Sequence, residues 1–125
     1  MDQSILVTGG SALVNALDKA GIPPLAAMWV HNAENDSWKL WIVPDAAVRD
    51  QRDFYRRISE LVSANRDALS GIDASDTEMV DARHPVIEGM SRVVRMPGLG
   101  STHFSNTRFN GYYLPDGIVL RMNPH

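Results

Sequence analysis

The amino-acid sequence predicts an α+β fold, a single two-layer domain whose helices lie on a mainly antiparallel or mixed sheet in the order α-ββ-α-β-α-βββ. Three observations lead there. Two β-rich runs, residues 25–31 and 38–43, flank the polar stretch 32–37 and make a tryptophan-bearing hairpin. From Val48 to Leu69, apolar residues recur at three- and four-residue spacing, the mark of a helix with one buried face. The C-terminal part alternates β-rich runs with Pro, Gly and Asn, as strands joined by turns do. With 125 residues and 44% hydrophobic composition, the chain can bury one core without a staple. No internal repeat, low-complexity run or long linker divides it, and residues 1–125 read as one domain.

The first helix is predicted within residues 4–20 from Ile5, Leu6, Leu13, Val14, Leu17 and Ala20, stopping at Gly21 with Pro23-Pro24 just beyond. Gly9-Gly10 costs about 1 kcal/mol per glycine relative to alanine, which favours a later start with Ser11 as cap. In the second strand of the hairpin, alternation places Trp38, Leu40 and Ile42 on one face and Lys39, Trp41 and Val43 on the other. Lys39 makes the second face the wetter one, leaving Trp41 partly exposed or covered by another element. Pro44 ends that strand, Asp45 is the predicted cap of the long helix, and Ser70-Gly71 closes it. Residues 71–83 read as loop with a short strand around 78–81. Pro85 opens a third helix, apolar along Val86, Ile87, Met90, Val93 and Val94, with Asp81 or His84 as its cap, and Pro97-Gly98-Leu99-Gly100 breaks it. Strands are then expected at 102–105, 108–114 and 117–122, with Pro115-Asp116-Gly117 as a tight turn.

Composition removes several function classes. There is no cysteine, which excludes disulfides, thiolate metal sites and cysteine nucleophiles and suits a reducing compartment. The first residues carry an acid, Asp2, where a signal peptide has lysines, and the apolar run Ile5-Leu6-Val7 is far too short for export or membrane insertion. A soluble, cytoplasmic protein with no membrane partner is the expectation. The net charge of −3 gives no global drive toward nucleic acid. Its distribution is uneven: Asp73, Asp76, Glu78, Asp81 and Glu88 face only Arg83 in one segment, whereas Arg92, Arg95, Arg108 and Arg121 face only Asp116 in the next.

The hairpin and following helix, Ala26-Ala27-Met28-Trp29 through Trp38-Lys39-Leu40-Trp41-Ile42-Val43-Pro44 to Phe54-Tyr55-Arg56-Arg57-Ile58, resemble a family of small uncharacterised bacterial proteins. Phe104-Ser105-Asn106-Thr107 and Asn110-Gly111-Tyr112-Tyr113 extend the likeness to most of residues 12–122. The resemblance implies the fold and brings no activity, substrate or cofactor with it. The chain departs from it at Asp45-Ala46-Ala47-Val48-Arg49, where a Gly-Pro pair is expected before the helix.

Residue type and spacing bear on five chemistries. Ile5-Leu6-Val7-Thr8-Gly9-Gly10 imitates the opening of a dinucleotide site, yet Ala12 and Asn15 stand where further glycines are needed, and no cofactor is expected. Glu78, Asp81 and His84 fall three apart and could borrow His103 for a metal, but none of the four histidines forms an i, i+4 helical pair with another, and no metal site is assigned. Ser101, Thr102 and His103 bring nucleophile and base types together without an orienting acid in the pattern. Arg92, Arg95, Gly98, Gly100, Ser101, Thr102, His103 and Arg108 form the candidate ligand-binding set, because glycine-loop amides can form an anion nest and arginines supply bidentate donors. Arg108, Phe109, Tyr112, Tyr113 and Arg121 interleave aromatics with arginines as single-strand nucleic-acid platforms do, against a chain with only two lysines. Trp41 is the candidate interface residue. The leading expectation is a non-enzymatic protein-binding or accessory module, acting on a protein partner or by self-association as a homodimer. The alternative is a small enzyme or binder acting on a phosphate-containing ligand or nucleic acid through the arginine and glycine-loop set.

Overall fold

A computed structural model describes residues 3–109 and 111–124. Helix α1 spans Gln3–Lys19, strands β1 and β2 span Ala26–Asn32 and Ser37–Val43, and helix α2 spans Gln51–Ala64. A short 3-10 turn, Ala74–Asp76, leads into β3 at Thr77–Met79. Helix α3 at Pro85–Val93 and strands β4 at Thr102–Phe109 and β5 at Tyr112–Met122 complete the chain. The five strands form one mixed sheet in the order β3-β2-β1-β5-β4, antiparallel throughout except for the parallel pairing of β2 with β3.

The alternation of the hairpin decides which side chains meet which helix. Ala27, Trp29, Leu40, Ile42, Ile118 and Leu120 face α1 and α2 in the larger core, together with Leu13, Phe54 and Ile58. Met28, Val43, Val119 and Met122 face the opposite way, onto Val86, Ile87 and Met90 of α3. The expected helix-on-sheet pair of layers is therefore joined by a partial third layer, because β1 is apolar on both faces and needs cover on both. A bulge in β5 opposite Ala27 and Met28 turns Arg121 toward α1, where its two terminal nitrogens donate to Asp18 at 2.7 and 2.9 Å.

Several boundaries differ from the sequence expectation, each for a local reason. α1 begins at Gln3 rather than near Ser11, and its two glycines are buried mid-helix, where tertiary contact replaces propensity. A Cβ on Gly10 would lie 2.6 Å from Trp29 Nε1, the donor of a 2.8 Å hydrogen bond to the Leu6 carbonyl. The helix ends as predicted at Gly21, in a left-handed conformation, with Ile22 N–H bonded to Leu17 O and Gly21 N–H to Asp18 O, a Schellman motif. Asp45 does not cap α2. Its side chain accepts from Ala47 N–H in a turn, and Asp50 is the cap, accepting from Asp53 N–H at 2.8 Å. The same helix stops at Ala64, not at Ser70, because Asn65 turns its side-chain amide onto the Leu61 carbonyl.

The C-terminal region holds two long strands in place of the three short ones expected. The chain reverses around Gly111, which has positive φ, and Pro115-Asp116-Gly117 lies inside β5. Pro115 is tolerated there because β1 pairs with β5 only from Gly117 onward, so no β1 carbonyl lies opposite its missing N–H. Residues 112–116 of β5 consequently pair with β4 alone and project beyond the central strand.

Candidate functional site

Helix α3 has nine residues, and at about 1.5 Å per residue it is too short to roof the sheet face it packs on. It packs mainly against β4 and β5, with Gly89 against Phe109, and meets β2 at its N-terminal end through His84 and Trp41, leaving the hairpin tip bare. The uncovered part is an open groove of about 590 Å³. Val30 and Lys39 form its floor, Glu78 one edge, and Tyr112 and Tyr113 of the projecting β5 segment the far wall.

Trp41 and His84 stand where covered sheet meets open groove. The two rings meet edge to face with centroids 4.9 Å apart, and His84 in turn lies 5.2 Å from Tyr112. Trp41, His84 and Tyr112 thus form a continuous aromatic row drawn from β2, the start of α3 and β5. A backbone contact fixes the His84 ring. As N-cap of α3 it accepts the Val86 N–H on Nδ1 at 3.1 Å, which leaves the proton of its neutral form on Nε2. Of the two caps expected for this helix, His84 fills the position, while Asp81 accepts from Arg83 N–H in the preceding turn.

Charged groups rim the row. Trp41 and Glu78 are register partners on adjacent parallel strands, so the carboxylate rises beside the indole on the same face. Neither Glu34 nor Glu78 forms an ion pair among the described residues. The Lys39 ammonium is bonded to the Ser75 carbonyl. At the hairpin tip His31 bonds Asp36 at 2.8 Å, and this hydrogen bond, aided by the histidine's charge, holds the Asp36 carboxyl below its usual range. Tyr113 carries the Arg108 guanidinium 5.7 Å from its ring centroid and donates its hydroxyl to Asn106 Oδ1 at 2.7 Å.

Of the residues singled out in the sequence, Trp41, His84, Tyr112 and Tyr113 come together here. Arg108 alone of the arginine and glycine-loop set reaches the groove's edge, at Tyr113, and the rest lies elsewhere. Arg92 lies in the last turn of α3, Arg95, Gly98, Gly100 and Ser101 in the link that follows, and Thr102 and His103 at the start of β4. In that link the Gly100 amide donates to the Leu120 carbonyl and Met96 exchanges backbone bonds with Met122, so these amides serve the sheet. Thr102 donates to Met96 Sδ at 3.1 Å and His103 pairs with Asp116. Arg121 is turned inward to Asp18, away from Arg108 and the tyrosines. Among the described residues no three metal-ligating side chains converge, and no helix is long and apolar enough to cross a membrane.

No family model, curated protein or solved structure matches this chain. Its function has to be read from the groove itself. Sequence reasoning put Trp41 on the wetter face with Lys39, partly exposed or covered by another element, and named Glu78 only with Asp81 and His84 as metal-ligand types. It missed the placement of Glu78 beside Trp41 and the partnership of His84 with Tyr112. The signal for the groove was the Lys39–Trp41 alternation, which marks a half-wet face; what stands against that face depends on the strand order.

Proposed function

We propose that the protein is a non-enzymatic binding module and that the groove between the β1–β2 hairpin tip and the projecting end of β5 seats an extended segment of a protein partner. The observation that carries this reading is the Trp41–His84–Tyr112 row, three rings presented to one open groove. Aromatic side chains offer large, stiff contact area at low entropic cost, and their enrichment at interface centres follows from that. Tyr112 and Tyr113 keep 46% and 51% of their surface exposed, an area that a partner would cover. Absence of cysteine suits work in the reducing cytoplasm, and that location belongs to the same proposal.

The test is affinity capture from native-host extract with the intact chain and with Trp41→Ala and Tyr112→Ala variants, each checked by circular dichroism. A specific protein retained by the intact chain and lost with both folded variants is the expected result. Capture that ignores both substitutions would sink the assignment of the groove.

A further inference from the structure

We infer that the segment seated in the groove carries an arginine, whose guanidinium lies against the Trp41–Tyr112 row and pairs with Glu78. This rests on the reading of the groove as a docking site and specifies the chemistry of its occupant. The argument is charge complementarity. An aromatic face attracts a cation through its quadrupole, and the effect grows as the cation sheds water. Beside that row stands the Glu78 carboxylate, one strand from Trp41 in register, and Glu34 lines the same groove. Neither acid has an ion-pair partner among the described residues; the Lys39 ammonium, bonded to the neutral Ser75 carbonyl, keeps its charge, so two carboxylates face one cation around the groove. The groove also borders the acidic segment from Asp73 to Glu88, so a cationic chain is drawn toward it from a distance.

A related contact occurs on the other face of the β4–β5 hairpin, where the Arg108 guanidinium lies 5.7 Å from the ring centroid of its cross-strand partner Tyr113. Arginine fits better than lysine because its planar fork can stack on a ring and still present two N–H donors to a carboxylate.

A random linear-peptide display library selected against the full chain, with the Trp41→Ala protein as counter-target, tests this directly. Selected peptides are resynthesised with each arginine replaced by neutral citrulline and measured by fluorescence polarisation against the intact chain, Glu78→Gln, Tyr112→Ala and a remote charge control, Asp67→Asn. The expected result is a shared arginine whose replacement by citrulline weakens binding about tenfold or more. Glu78→Gln should weaken the arginine peptide and leave the citrulline peptide nearly unchanged, while Asp67→Asn affects neither. Groove-dependent peptides without a basic residue would overturn the arginine and leave the docking reading standing. Equal weakening by Glu78→Gln and Asp67→Asn would reduce the effect to bulk charge and also overturn it. Peptides copied from this chain that lack arginine at the contact, or oligonucleotides that bind in a Tyr112-dependent way, would replace the proposed occupant by a second copy or a nucleic acid. If no selected peptide depends on Trp41 or Tyr112, both the inference and the docking reading fall.

Discussion

Trp29 and Gly10 show how a single residue can set the distance between a helix and a sheet. The indole N–H reaches the Leu6 carbonyl of α1 only because position 10 has no Cβ. Gly10→Ala should gain up to about 1 kcal/mol of helix propensity. It should lose more, about 1–3 kcal/mol, because the new methyl group forces the indole away in a filled core. Net destabilisation, read from the midpoint of urea unfolding, is the expected outcome, and a midpoint at or above that of the parent would refute the account. Asp18 and Arg121 make a second such test. The arginine side chain is 9% exposed and the aspartate 31%, so Asp18→Ala leaves a buried cation without its partner. A loss of about 2–3 kcal/mol is expected, below the 3–5 kcal/mol typical of fully buried pairs because Asp18 is partly solvated. Adding Arg121→Met should recover most of it, and failure to recover would place the cost elsewhere than in the stranded charge.

At the level of elements, the beginning of α2 rests on two aspartates. Asp50 caps it through the Asp53 N–H, while the buried Asp53 carboxylate accepts from the Arg49 N–H and from the Arg56 and Arg57 side chains. The Arg49 backbone bond first, then the Arg56 guanidinium, hold Asp53 far below the usual carboxylate range. A group with a depressed folded pKa binds fewer protons folded than unfolded, so its contribution is complete near neutrality. It is lost as pH falls below about 4 toward the folded value. Asp53→Asn should therefore be less stable at neutral pH and show a shallower decline between about pH 5 and pH 2, measured by thermal melts across that range. Unchanged acid sensitivity would exclude Asp53 as its source. Helix α3 depends more weakly on its histidine cap, and His84→Ala should cost about 0.5–1 kcal/mol in chemical unfolding. A neutral result there would mean that packing of Val86, Ile87 and Met90 alone holds the helix.

Across the whole molecule, the groove exists because three independent lengths fail to match. α3 is shorter than the face it covers, β5 runs on past its last pairing with β1 by the residues before Gly117, and the β1–β2 hairpin continues past that pairing without β5 bonded to it. Tyr112 and Tyr113 stand at the outer end of that overshoot and are half-exposed, so Tyr112→Ala should lower global stability by no more than about 1 kcal/mol, far less than a core truncation. The same variant should abolish partner capture. A large loss of stability would instead make the row part of the fold's support.

Local chemistry was enough to make much of this legible in the sequence. The hairpin faces follow from the two-residue period of Trp38-Lys39-Leu40-Trp41-Ile42-Val43, the end of α1 from Gly21, and the start of α3 from Pro85, because each depends on neighbours a few positions away. The tolerance of Gly9-Gly10 inside a helix, the Asp50 cap in place of Asp45, and the run of β5 through Pro115 were settled by contacts with Trp29, by the Asp53 network and by where β1 stops pairing. The groove is of this second kind. Trp41, Glu78, His84 and Tyr112 are visible one by one in the chain, but only the strand order β3-β2-β1-β5-β4 and the shortness of α3 place them around one space, since sequence periodicity determines which way a side chain points and tertiary packing determines what it meets.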